Sequence, residues 1–243
     1  MMFKKSLGNW LEENRVYTIK AFSETDACDL PHGWEKPSEF TLNAIVIKGG
    51  HGEHLVFTDE IYTVKINART VEVRNLDTFT EWVQGLHPES VIVGYGSKNF
   101  DIPLIESVYP LAFINRKGDL LFHDLLELVQ DMTAKHYDSY PRRISLTALA
   151  SMNKIRDSII PLPSIVTSTL QLLSMWRSKN KAGVLKNLIA EAHTIARLMW
   201  QMDIDDGSLL IRDERTDKRV RLTADDFSIR SDTTPEDHPK TSE

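Results

Sequence analysis

Cysteine is nearly absent from this chain: Cys28 is the only one among 243 residues. One thiol excludes an internal disulfide framework and suits a reducing compartment. No Cys/His spacing of the zinc-binding kind occurs either. Long apolar runs are missing, so nothing in the sequence reads as a span of about 18 apolar residues crossing a bilayer. The opening Met1-Met2-Phe3-Lys4-Lys5 leads into Gly8-Asn9-Trp10-Leu11-Glu12-Glu13, which lacks the apolar core of a signal peptide. The expectation is a cytoplasmic protein with no membrane partner. Excess positive charge is lacking as well. The net charge is −6 and the pI about 5.8, which counts against tight non-specific binding to nucleic acid and leaves only local basic patches for it.

What is present is an ordinary globular composition, 41% hydrophobic and 26% charged, enough for one full core. Residues 1–15 read as an amphipathic lead-in. β-Rich runs follow at Val16 to Phe22, Phe40 to Ile47, His54 to Phe57, Tyr62 to Ile66 and Thr70 to Val73, and read as an antiparallel set. Helical periodicity marks Asp77 to Gly85, Ile102 to Val108, Leu125 to Ala134 (capped by Asp124), a helix capped by Ser145, Leu170 to Arg177 and Gly183 to Met202. Short strands fall at Leu120 to Phe122 and in a hairpin formed by Leu209 to Arg212 and Arg219 to Leu222. Residues 151–168 read as irregular. The pattern predicts one α/β domain over 16–223, a mixed sheet flanked by helices, and a disordered polar tail over 224–243.

The stretch Val91-Ile92-Val93-Gly94-Tyr95-Gly96-Ser97-Lys98-Asn99-Phe100-Asp101-Ile102-Pro103 carries the clearest functional signal. A buried strand, a glycine turn and a carboxylate at a helix start make up the usual setting of metal-dependent sites on α/β sheets. Asp101 can also be read as a simple helix cap. Two further acids, Glu24 after the first strand and Glu191 in the long C-terminal helix, complete a set from which a Mg2+ or Mn2+ site could be built. Hard cations take oxygen ligands, and a metal pair about 3.5–4 Å apart can hold both reacting oxygens of a phosphodiester.

On these residues the chain resembles the DEDD-type 3′–5′ exonucleases of the ribonuclease H-like superfamily, in the polymerase-B-related branch. The stretch Val93 to Pro103 matches the family's central motif. Phe122-His123-Asp124-Leu125-Leu126 and Arg143-Ile144-Ser145-Leu146-Thr147-Ala148-Leu149-Ala150 match two later steps, and Leu198 to Leu222 matches the closing helix and hairpin. The resemblance implies a ribonuclease H-like mixed sheet and a catalytic and metal-binding set of Glu24, Asp101 and Glu191. It departs from the family at the chemistry. Phe22 stands where the first motif, Asp-x-Glu, has its aspartate. Asn187 and Glu191 replace the tyrosine and aspartate of the last motif. Glutamate reaches one methylene further than aspartate, and a displacement of about 1 Å can cost on the order of a hundredfold in rate. Asp26 or Asp29 could act as a substitute ligand.

The resemblance and its departures together predict a nucleic-acid-interacting, catalytically impaired exonuclease-like protein. An active Mg2+- or Mn2+-dependent 3′–5′ exonuclease with an altered site is the first alternative, and a protein-interaction scaffold without a nucleic-acid role is the second. Single-stranded nucleic acid, if bound, would meet Tyr95, Lys98, Arg142, Arg143, Lys179 and Lys181. His193 is read as a surface or packing histidine, and His123 as packing under the sheet with no assigned role.

Overall fold

The computed structural model describes residues 15–49, 53–59, 64–66, 69–88, 90–110, 121–137, 144–155, 169–204, 207–212, 218–223 and 226. The lead-in over 1–14, Arg142, Arg143 and nearly all of the tail lie outside these residues, as does most of the stretch 151–168.

The β-branched and aromatic runs form strands, as their composition dictates. They are β1 Val16–Ser23, β2 Leu42–Lys48, β3 His54–Thr58, β4 Val64–Ile66, β5 Arg69–Arg74, β6 Val91–Gly94 and β7 Leu121–Asp124. The strand order is β4-β5-β3-β2-β1-β6-β7 in one mixed sheet. β1, β2 and β3 pair antiparallel, and β6 and β7 are added parallel on the other side of β1. One expectation is corrected here. The early strands are not all antiparallel, because β5 pairs parallel with β3 through Leu55 and Glu72, and β4 folds back antiparallel outside it. That pairing is set by contacts between strands and has no local signal.

Helices cover both faces. They are α1 Phe79–Gly85, α2 Asp101–Val108, α3 Leu125–Tyr137, α4 Leu146–Met152, α5 Thr169–Arg177 and α6 Lys181–Ile204, followed by the hairpin β8 Ser208–Arg212 and β9 Arg219–Thr223. Alternation along β1 divides the packing. Ile19 and Ala21 face the core built with Phe79, Val83, Leu104 and Ile105 from α1 and α2. Thr18, Lys20 and Phe22 face α6. Thr18 donates its hydroxyl to the Ala192 carbonyl at 2.8 Å, and Phe22 packs with Trp176, Leu185, Leu188 and Ala192. A third core joins β6, α3, α4, the end of α6 and the hairpin. Asn153 ties α4 to β8 there: its side-chain amide donates to the Leu210 carbonyl and its oxygen accepts the Leu210 N–H. Ser145 caps α4, accepting the Ala148 N–H at 3.1 Å.

His54 and His193 meet where β3 packs under α6, with ring centroids 5.8 Å apart. Burial, then Lys48, then His193 lowers the His54 pKa to about 3. The folded value lies below the unfolded one, near 6.5. The stability held by neutral His54 is therefore complete above pH 6.5 and lost as pH falls toward 3. Between pH 7 and 5 the loss amounts to about 2 kcal/mol. Urea unfolding at the two pH values should show His54→Gln losing about 2 kcal/mol less than the wild type over that interval.

Candidate active site

The site is assembled at the C-terminal end of β6. Gly94 ends that strand, where any Cβ would collide with Ser97. Gly96 takes a left-handed φ of 69°, natural to glycine. Asp124, at the end of β7, fastens the turn from beneath. It accepts the N–H groups of Gly96 at 2.8 Å, Lys98 at 2.9 Å and Leu126 at 2.9 Å. It therefore caps α3 and orders the turn with one buried carboxylate. The turn then delivers Asp101 to the first residue of α2.

Asp101 is 2% exposed and does not cap its own helix. One oxygen, Oδ1, accepts the Ala21 N–H at 2.9 Å. The register of β1 on β6 ends at Thr18–Val93, so the ladder no longer serves that N–H and the side chain takes over. The other oxygen, Oδ2, accepts the Ser97 hydroxyl and the Lys20 ammonium, the latter at 2.9 Å. Lys20 Nζ also stands 3.7 Å from Glu191 Oε2 on α6. The Lys20 and Glu191 side chains are 15% and 19% exposed. Burial opposes the charge on Lys20, but Asp101 and then Glu191 outweigh it and hold the ammonium above its ordinary pKa. Burial pushes the Glu191 carboxyl up, with Lys20 pulling against it and Asp101 adding to it.

Two of the three expected acids are thus brought together, and a lysine lies between them. Glu24 is placed elsewhere. The β1–β2 register slips between Phe22 and Ser23, and the chain leaves the regular ladder at that bulge. Beyond it Glu24 is exposed and accepts the Trp176 indole N–H at 2.8 Å. Asp26 accepts the Cys28 N–H, and Asp29 lies 3.8 Å from Arg177, so both acids are engaged away from Asp101. Asn187 is 7% exposed and donates to the Gly183 carbonyl. Among the described residues no group of three or more acidic, histidine or cysteine side chains could hold a metal ion. With the Lys20 ammonium placed against both, the Asp101 and Glu191 carboxylates as arranged here do not fit a divalent metal. Asp101 has given both oxygens to protein donors, and an ammonium already lies against the carboxylates.

The expected nucleic-acid contacts are scattered. Tyr95 is 9% exposed in the core and donates its hydroxyl to the Ile144 carbonyl at 2.6 Å, so it cannot stack with a base. Lys98 is exposed and paired with Glu127 at 3.0 Å. Lys179 is exposed at the α5–α6 turn, and Lys181 Nζ sits 4.9 Å from the Trp176 ring centre. Sequence reasoning missed Lys20, Trp34 and Trp176. Lys20 as the single charged residue of β1, on the face shared with Phe22, was the available signal. Trp34 is 49% exposed, stacked on Phe40 at 5.2 Å and edge-on to Phe100 at 5.1 Å. With Phe22, Phe100, Leu172 and Leu188 it walls a pocket of about 140 Å³ that Lys20, Asp101 and Glu191 also line.

No family model matches the chain, and no curated protein matches its sequence. Solved structures do resemble it. The family B DNA polymerase from the hyperthermophilic archaeon Pyrobaculum calidifontis superposes with a TM-score of 0.53 at 14% identity. That match covers 77% of this chain and 24% of the polymerase chain. E. coli ExoI in a zinc-bound complex with single-stranded DNA gives a TM-score of 0.40 at 13% identity, over 72% of this chain and 44% of that one. Yeast CAF1 co-crystallised with the NOT1 MIF4G domain is the context of a third match, with a TM-score of 0.39 at 14% identity, over 74% of this chain and 83% of that one. The chain thus spans about a quarter of the polymerase chain and under half of the ExoI chain. The fold is ribonuclease H-like, a mixed α/β sheet flanked by helices, and the polymerase match supports that and nothing finer.

Asp124 is the most exacting structural group of the site. Replacing it with alanine leaves three backbone N–H groups without their charged acceptor and should cost about 3 kcal/mol in urea unfolding. Glu127→Ala removes only an exposed ion pair with Lys98 and should change stability by less than about 1 kcal/mol.

Proposed function

We propose that this chain is a catalytically silent 3′–5′ exonuclease-like protein that acts by binding, with single-stranded nucleic acid as its ligand class. The observation that carries this reading is the Lys20 ammonium, 2.9 Å from Asp101 and 3.7 Å from Glu191. Two-metal hydrolysis needs carboxylates free to hold a pair of cations about 3.5–4 Å apart. Here one carboxylate accepts from Ala21, Ser97 and Lys20, the second is shared with Lys20, and Glu24 is held by Trp176. An active Mg2+- or Mn2+-dependent enzyme would require Lys20 to leave both acids and Glu24 to leave Trp176.

Support for nucleic-acid binding comes from the exonuclease-like fold and from Trp34, a half-exposed ring fixed by two other aromatics at the pocket. Ring faces of this kind stack on bases with little regard to sequence. The second reading, a protein-interaction scaffold, is favoured by charge. Asp101 and Glu191 face a single ammonium, Glu24 lies next to the pocket-lining Ser23 and Thr25, and the whole chain carries −6. Such a surface repels phosphate.

The test is an assay on end-labelled single-stranded DNA and RNA with Mg2+ or Mn2+, with Asp101→Ala as control. The expected result is no 3′ shortening beyond that control, together with binding whose affinity falls steeply as salt rises. Stepwise shortening that disappears in Asp101→Ala contradicts the silent reading. Absence of binding to either strand at low salt favours the scaffold.

A further inference from the structure

We infer that Lys20 is a built-in cation occupying the place of a metal, and that removing its side chain uncovers a latent cation site between Asp101 and Glu191. This deepens the silent reading above and rests on it. Three elements converge on Nζ: β1 supplies the lysine, the first residue of α2 supplies Asp101, and the middle of α6 supplies Glu191. An ammonium is a compact charge with three donors, so it can serve both carboxylates at once. Its stem is confined along β1. Thr18, two residues before it, is tied to the Ala192 carbonyl, and Phe22, two residues after it, packs at 4.9 Å on Trp176. Asp101 and Glu191 are both largely withdrawn from solvent, and Lys20 balances their charge while linking the three elements.

This geometry also locates the missing acid of the first motif. Phe22 points along the same face as Lys20 but packs into the apolar cluster of Trp176, Leu185 and Leu188. The position against Asp101 and Glu191 is that of Lys20. A carboxylate introduced there would join the pair, and hard divalent cations take such oxygen sets. A carboxylate introduced at Phe22 would meet the Trp176 ring.

The experiment compares full-length wild type, Lys20→Ala, Lys20→Asp and Phe22→Asp by thermal unfolding and calorimetric titration with MnCl2. Ethylammonium chloride serves as a second probe. Wild-type Tm should not respond to either cation. Lys20→Ala should melt lower by on the order of 5 °C or more and recover part of the loss with Mn2+ or ethylammonium. Lys20→Asp should gain most from Mn2+, and Phe22→Asp should gain nothing. If Lys20→Ala does not fold, Mn2+ present during refolding should restore native circular dichroism. Folded Lys20→Ala and Lys20→Asp that neither bind Mn2+ nor gain Tm would overturn the inference, as would refolding that Mn2+ does not rescue. Mn2+ binding and strand shortening by the wild type would instead overturn the silent reading, so the two failures are distinguishable.

Discussion

The contact between the Lys20 ammonium and the Asp101 carboxylate is the constraint on which the site depends. Asp101 is 2% exposed and would be costly to bury as a bare charge. Its two oxygens are satisfied by a backbone N–H that the sheet leaves unpaired, a serine hydroxyl and the lysine. The first fastens α2 to β1, the second closes the glycine turn, and the third links both to Glu191 on α6. One carboxylate thereby holds together the elements that a metal-dependent nuclease would join through its cations.

The electrostatic outcome differs from that of a metal pair. One ammonium contributes a single positive charge, so Asp101 and Glu191 are not overcompensated, and the phosphate contacts that the proposed binding requires fall to cations outside this cluster. Glu191 responds to burial by an upward shift of its carboxyl pKa, against the pull of Lys20. Glu24, the third expected acid, stays outside this cluster, held on the Trp176 indole. The aromatic walls from Phe22, Trp34 and Phe100 remain, together with a pocket of about 140 Å³. These features underlie the proposal of recognition without hydrolysis.

Much of the fold could be read from local chemistry. The β-branched runs gave strands, Gly94 and Gly96 marked the turn, and Asp124 and Ser145 marked helix starts. The parallel pairing of β5 on β3 could not be read, because a parallel or antiparallel choice is made between strands distant in sequence. At the site, the strand-helix step around Asp101 was legible, but the partners were not. Glu24 is claimed by an indole 152 residues away, and Tyr95 by a carbonyl 49 residues away. Lys20 is the instructive omission. A lysine in a strand is ordinarily read as a solvated residue, yet its parity with Thr18 and Phe22 put it on the face covered by α6. The register shift after Phe22 lies just before Glu24, which the Asp-x-Glu resemblance had grouped with Asp101 and which the structure holds on Trp176.

The central claim is that an amino group, and not a metal, lies between Asp101 and Glu191. The most direct measurement is a crystal structure of the wild-type protein grown in excess MnCl2, with anomalous data collected at the manganese edge. The account predicts no anomalous peak between the two carboxylates and Lys20 Nζ within hydrogen-bonding distance of Asp101. A manganese peak there, with Lys20 turned away, would contradict it.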